Sequence, residues 1–200
     1  MSRKSKKPNA ETADIIVAGA GYVGLAAAVA IAQGTPDLKI VVFDGAPAGI
    51  WEKDSRASAI AAAASRMLSQ MDCWSDLEPH AQAMTEMIVT DSRTNDPVRP
   101  VFLTFDGNVS EDEPFAHMIP NVELLRSLRA KAKEAGVDVV QGVSIDSFVE
   151  VDGKVNIQLA DGTAISAKLL IAADGVHSSL RDKAGIKTVS WEYGQTGIVA

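Results

Sequence analysis

The chain has 200 residues, 46% hydrophobic and 22% charged, enough for one sizeable globular domain, or one domain and part of another, with a substantial core. Its net charge of −7 argues against nucleic acid as a partner, because the only basic cluster is Arg3, Lys4, Lys6 and Lys7 in a leader that lacks the apolar stretch of a secretory signal. Cys73 is the single cysteine, which excludes an internal disulfide and fits a reducing, cytoplasmic setting.

After the leader, residues 15–17 predict a short strand, Gly19-Ala20-Gly21 a sharp turn, residues 25–32 an alanine-rich helix, and residues 39–44 a second strand. The spacing Gly19-x-Gly21-x-x-Gly24 inside this strand-helix-strand unit reads as a dinucleotide cradle. Gly19 permits the turn, Gly21 lets the backbone approach a pyrophosphate, and Gly24 lets the helix lie close to the strand. The helix N-terminus then offers unpaired N–H groups to an anion. Asp44 stands roughly 20 residues beyond the glycines, where a carboxylate accepts hydrogen bonds from ribose hydroxyls and repels a 2′-phosphate. This favours FAD or NAD over NADP. A plainer reading makes Asp44-Gly45 a simple turn. The uncharged run 15–32 is nearly long enough for a membrane span, but its glycines and alanines transfer weakly into lipid, so a buried strand, loop and helix is the better reading.

Residues 45–52 form a loop bearing Pro and Gly, and a helix is expected from Arg56 to about Trp74. Residues 86–90 and 100–105 predict two strands joined by a polar stretch, followed by a charged loop over 106–114. Asn121 reads as the N-cap of a helix with Leu124, Leu125, Leu128 and Ala132 on one stripe and Gly136 as its stop. Residues 137–140 predict a strand. Residues 147–151, 155–159 and 164–167 then predict a three-stranded meander turned at Asp152-Gly153 and Asp161-Gly162. The apolar run 168–173 predicts a strand buried on both faces and returning to the central sheet. His80, His117 and His177 lie far apart and outside any ligand pattern, so no metal site is indicated, and the chain has neither a P-loop nor a G-x-S-x-G elbow.

That last strand ends in Asp174-Gly175-Val-His-Ser178-Ser-Leu-Arg181. Asp-Gly occurs five times in the chain, so only its setting at the carboxyl end of a parallel strand singles out Asp174, and a strand-to-helix turn capped by Ser178 is the bland alternative. Together with Arg56-Ala-Ser-Ala-Ile, Ser65-x-x-x-Leu, Trp74, Met118-Ile-Pro-Asn121 and Trp191-x-Tyr193-x-Gln195-x-Gly-Ile-Val, this arrangement resembles the single-component flavoprotein aromatic hydroxylases of the para-hydroxybenzoate hydroxylase fold. Within that group it looks most like the ubiquinone-biosynthesis hydroxylases.

The resemblance implies an α/β fold: a Rossmann-like FAD-binding domain with a parallel central sheet and a three-stranded β-meander, plus the first strands of a substrate-domain sheet. The implied division is a basic leader over 1–12, FAD-binding domain over 13–82 and 117–189, substrate-domain sheet over 83–116, and a further substrate-domain strand over 190–200. It implies that Gly19, Ala20, Gly21, Val23 and Gly24 hold the FAD pyrophosphate and Asp44 the adenosine ribose. Arg56 would lie near the phosphates, Asn121 would make a polar contact to FAD, and Val143 would offer its backbone to adenine. Asp174 with Gly175 would touch the ribityl and pyrophosphate region and help NAD(P)H dock. Family members run to about twice this length, so the resemblance implies an N-terminal part of a monooxygenase that hydroxylates a phenolic or polyprenyl-phenol ring with NAD(P)H and O2. It implies a cytoplasmic protein with peripheral contact to the inner membrane. No catalytic acid or base is assigned. A flavin-dependent reductase or halogenase of the same fold, or a dinucleotide-binding fragment without a reaction of its own, stays open at this point.

Overall fold

A computed structural model describes residues 12–93, 95–110 and 113–197. Residues 1–11 of the expected leader, and residues 198–200 of the expected last strand, lie outside the described residues. In chain order the first half holds β1 (Ile15–Ala18), α1 (Tyr22–Gly34), β2 (Ile40–Asp44), β3 (Ala57–Ala61), α2 (Ala62–Gln70), α3 (Trp74–Leu77), β4 (Gln82–Met84), β5 (Glu86–Thr90) and β6 (Val101–Asp106). Then follow β7 (Asn108–Ser110), β8 (Glu113–Pro114), β9 (Ala116–Pro120), α4 (Asn121–Glu134), β10 (Asp138–Gln141), β11 (Ile145–Val151), β12 (Lys154–Leu159), β13 (Ala164–Ala167), β14 (Leu169–Ala172) and α5 (Ser179–Lys183).

A four-stranded sheet in the order β10-β2-β1-β14, parallel at every pairing, sits at the centre. Side chains along a strand alternate between faces, and β1 shows the consequence directly. Ile15 and Val17 face a core shared with Leu25, Ala28 and Val29 of α1 and Leu124, Leu125 and Leu128 of α4. Ile16 and Ala18 face a second core with Ile157, Leu159 and Ile165 of the antiparallel meander β11-β12-β13. The order is therefore helices, sheet, meander, as the expected α/β class requires. The meander turns at Asp152-Gly153 and Asp161-Gly162, with Gly153 and Gly162 both at positive φ. Gly136 follows α4 at φ +76°, the left-handed conformation that ends a helix at little cost to glycine.

Several expectations are corrected. Residues 57–61 do not begin a helix. They form β3, which pairs antiparallel with β9 from Ala57 against Pro120 to Ala61 against Ala116, and the helix starts only at Ala62. Local alanine propensity yields there to a tertiary partner, β9, far along the chain, a separation that a single-stretch reading does not see. β4 pairs with the other edge of β9, completing a small third sheet, and the charged loop 106–114 contains the short pair β7-β8. β14 is not buried on both faces: among the described residues it occupies the sheet edge and pairs only with β1, and Leu169 is 47% exposed. Residues 190–197 carry no strand. The β5-β6 pair stands as an isolated two-stranded sheet with Ile88, Phe102 and Phe105 exposed.

Among the described residues no helix is long and apolar enough to cross a membrane. Leu128 lies between α4 and the core at 1% exposure. Truncation to alanine there removes packed methyl groups and leaves a void, so Leu128→Ala is expected to lower unfolding free energy by about 2–5 kcal/mol, read by urea titration of the far-ultraviolet circular dichroism.

Candidate functional site

The carboxyl ends of β1, β2 and β14 meet at one rim of the central sheet, and the chain leaves β1 through Gly19-Ala20-Gly21 into α1. Gly19 takes φ +102° and its N–H donates to the Phe43 carbonyl at 2.7 Å, tying the turn to β2. A Cβ on Gly19 would stand 2.2 Å from the Ala173 carbonyl oxygen, and one on Gly24 would stand 2.0 Å from the Gly19 carbonyl oxygen. Both contacts are with main chain, so neither position has room for a side chain. Gly21 is different. Nothing lies within 4 Å of where its Cβ would be, and it forms the N-cap of α1 without any side-chain cap. Open space over an uncapped helix start, with no acidic residue in the first turn, is the environment that an anionic group would fill.

Asp44, last residue of β2, stands beside this turn. Its Oδ1 accepts the Ala46 N–H at 2.9 Å, and no other hydrogen bond reaches this carboxylate among the described residues. Gly45 has an ordinary φ. Its Cβ position falls 3.0 Å from the Ser144 Cβ, so this glycine serves close packing rather than a positive-φ turn.

Asp174 follows β14 across the same rim. The Ser178 hydroxyl donates to its Oδ1 and the Leu180 N–H to its Oδ2 at 3.3 Å. Burial alone would raise its pKa, but these donors, with the amides of Asp174 and Ser179, outweigh it and hold the carboxyl below its usual value. Ser178 in turn accepts the Arg181 N–H as the cap of α5, and Arg181 donates from Nη1 to the Val176 carbonyl at 3.1 Å. Asp174 to Arg181 thus closes on itself as a strand-to-helix turn, and the same turn walls the site. Gly19, Gly21, Asp44, Ser144, Asp174 and Gly175 all line one cleft of about 480 Å³.

A second hollow of about 470 Å³ shares Ala20, Gly21, Asp44 and Ala46 with the first and continues toward Arg56. Arg56 donates from Nε and Nη2 to the two oxygens of Asp54, each at 2.8 Å. The Arg56 hydrogen bonds, opposed by partial burial and helped by Asn121, hold the Asp54 carboxyl far below the usual carboxylate range. Asn121 is not an N-cap. β9 runs straight into α4 with Pro120 at the boundary, and the Asn121 side chain bridges outward instead: Nδ2 donates to Asp54 Oδ2 at 3.1 Å and Oδ1 accepts the Ser58 hydroxyl at 2.7 Å. Its own N–H donates to the Arg56 carbonyl. Asn121 therefore anchors the Asp54–Arg56 clamp, a link its helix-start position concealed.

Not every candidate converges. The Val23 side chain is 63% exposed, and neither it nor Gly24 lines either hollow. The Ala20 methyl points into the core. Val143 is a core residue whose N–H already donates to the Asp44 carbonyl, while its neighbours Ser144 and Ile145 line the cleft. Sequence reasoning passed over Trp51, Arg129 and Gln141, all of which line the second hollow. Gln141 could have been found, since it stands in register with Asp44 across β10 and β2. Arg129 carried no signal beyond helical spacing.

The description of the family model that matches residues 12–198 is FAD binding domain. The mouse ubiquinone biosynthesis monooxygenase COQ6, mitochondrial, is 31% identical over 94% of this chain and 42% of its own length. Ubiquinone hydroxylase UbiL of Rhodospirillum rubrum is 29% identical over 94% of this chain and 43% of its own length. The chain thus spans less than half the length of these curated relatives. Among solved structures, the flavin-dependent monooxygenase PieE in complex with FAD and substrate superposes with a TM-score of 0.72 at 17% identity, covering 90% of this chain and 33% of PieE. That likeness concerns the fold.

Two consequences are measurable. Gly24→Ala forces main chain apart where α1 crosses the turn, and a loss of more than about 2 kcal/mol in unfolding free energy is expected, with α1 helicity otherwise unchanged. A depressed folded-state pKa makes Asp54 stabilising above its unfolded value of roughly 4, and this is lost as pH falls through the folded value. Asp54→Asn should therefore lower the melting temperature at pH 7, and the gap to the unsubstituted chain should narrow steadily below about pH 4.

Proposed function

Because the chain belongs to the FAD binding domain family, we propose that it forms the N-terminal part of an FAD-dependent monooxygenase that hydroxylates a phenolic ring, in ubiquinone biosynthesis, with NAD(P)H and O2. The observation that carries the binding half of this reading is the convergence of the Gly19–Gly21 turn, Asp44 and Asp174 on one cleft. In this reading Gly19, Ala20, Gly21, Val23 and Gly24 present backbone to the pyrophosphate, Asp44 accepts the ribose hydroxyls, and Arg56 faces the phosphates from its clamp on Asp54. Asn121 acts by fixing that clamp. Asp174 and Gly175 form the opposite wall, and residues 143–145 close the adenine end through backbone.

When bound, FAD supplies the redox chemistry, drawing reducing equivalents from NAD(P)H and activating O2 for transfer of one oxygen atom to the ring. This chain's own residues bind and orient. The three glycines give the cofactor close access to backbone amides, the α1 terminus lowers the electrostatic cost of the diphosphate, and the capped Asp174 turn gives a rigid rim. The greasy ring substrate of this reading, a phenol or polyprenyl-phenol, carries the protein to the membrane surface from the cytoplasm. Residues 83–116 contribute the first part of the substrate sheet, and the exposed apolar side chains of β5-β6 are the surface on which it would build.

A second reading is a dinucleotide-binding unit without turnover of its own, favoured by a cleft whose lining includes the glycine turn with Asp44 and Asp174, groups that bind and orient. Titration of FAD fluorescence with the 200-residue chain, then oxygen uptake with NADH or NADPH and a phenol by the longer protein of which it forms the N-terminal part, separates the two. One equivalent of FAD bound, with phenol-dependent oxygen consumption, is the monooxygenase result, and FAD bound without turnover is the binding-unit result. Asp44→Ala should weaken FAD roughly tenfold through loss of the ribose hydrogen bonds. No flavin uptake by the unsubstituted chain contradicts both readings.

A further inference from the structure

The second hollow contains a cation that the binding roles above leave unassigned. Arg129 leaves α4 eight residues after Asn121 and crosses to the glycine turn, where its Nη2 donates to the Ala20 carbonyl at 3.3 Å. Its guanidinium carbon stands 5.1 Å from the centroid of the Trp51 ring, a cation–π stack that holds the fork in one plane. No carboxylate lies within 4 Å of it among the described residues; Asp44 and Glu52 act on it only at longer range. Its Nε is buried and, among the described residues, has no hydrogen-bond partner; the same holds for Nε2 of Gln141, which lines the same hollow. A half-buried guanidinium is costly unless its donors are satisfied, and this one is braced on one edge and free on the other.

The setting states which ligand would satisfy it. Arg129 abuts Ala20, between the two glycines of the turn, beside the open, uncapped start of α1. Lys53 and Arg56 line the same hollow, so three cations meet two carboxylates there, those of Asp44 and Asp54. Arg56 is already committed to Asp54. The donors at this end of the groove that no carboxylate engages among the described residues include those of Arg129, Gln141, Lys53 and the first amides of α1.

We propose that Arg129, stacked on Trp51 and hooked to the Ala20 carbonyl, is a phosphate-binding residue that donates from its free edge to the pyrophosphate of the adenine dinucleotide. This rests on the dinucleotide reading above. Trp51 is then a positioning residue that keeps the guanidinium flat against the turn, and Gln141 adds a donor on the β10 side. An arginine suits the place better than lysine, because a braced fork can serve two acceptors at once where an ammonium serves as a point charge.

The test compares ADP with adenosine on the 200-residue chain, by calorimetric titration. Losing a charge-assisted phosphate contact is expected to weaken ADP and FAD roughly tenfold to a hundredfold in Arg129→Met while leaving adenosine within twofold. Arg129→Lys should recover part of the loss. Circular dichroism confirms that each variant is folded, and Trp51 supplies an independent readout. ADP should change the tryptophan emission of the unsubstituted chain, and Trp51→Phe should abolish that change. If adenosine and ADP weaken equally in Arg129→Met, the residue acts only as a brace for the turn and the proposal is overturned. Unchanged ADP affinity, or tight ADP binding with no Trp51 response, also overturns it while leaving the dinucleotide reading intact. A chain that takes up neither FAD nor ADP contradicts that reading itself.

Discussion

Main chain meeting main chain at the crossing of β1, α1 and β14 is the constraint on which the rest of the structure depends. At Gly19 and Gly24 a single added carbon would stand within 2.2 Å of a carbonyl oxygen. That absence of side chains lets α1 start directly above the carboxyl end of β1, beside Asp44 and Asp174, with its first amides facing open space at Gly21. The geometry then places opposite electrostatic tendencies close together: a partial positive helix terminus, the Asp44 carboxylate and the cations Lys53, Arg56 and Arg129 of the second hollow. An extended, diphosphate-bearing ligand satisfies all three. Nothing in the arrangement requires the sheet to be large, and four parallel strands suffice because α1 and α4 cover one face and the meander the other.

Two polar clusters stiffen the rims. The Asp54–Arg56–Asn121–Ser58 network ties the loop before β3 to the start of α4, and the Asp174–Ser178–Arg181 turn ties β14 to α5. Both use residues that sequence reading associates with the cofactor, and in both the side chains are largely engaged with one another. Their contribution is preorganisation: the groups that would face a ligand are held before it arrives, so less ordering entropy is lost on binding. Arg129 belongs to the same pattern, with one edge braced and one free.

The parts of the fold legible in sequence were those governed by short-range chemistry. The glycine spacing, the second-strand aspartate, the Asp-Gly hairpins and the helix stop at Gly136 each express a local conformational demand, and each lies where its spacing indicated. What the sequence hid was set by distant partners. Residues 57–61 look helical by composition and become a strand because β9 offers them a pairing edge. Asn121 has an N-cap's composition and instead spans 67 residues to reach Asp54. The apolar run at 169–172 suggested a doubly covered strand, yet apolarity cannot report position in a sheet, and β14 lies at its edge. Arg129 was invisible for a related reason: its meaning comes from the 109-residue separation between it and the Ala20 carbonyl, and nothing around it in α4 marks it out.

The central claim is that the uncapped first turn of α1 grips a dinucleotide pyrophosphate. Amide hydrogen exchange resolved over residues 19–25, with and without saturating FAD, tests it most directly, since Tyr22, Val23 and Gly24 have no intrahelical acceptor for their N–H groups. Slowed exchange in that segment and across residues 141–145, with β5-β6 unchanged, is the expected result. FAD bound with no protection at the glycine turn would contradict it.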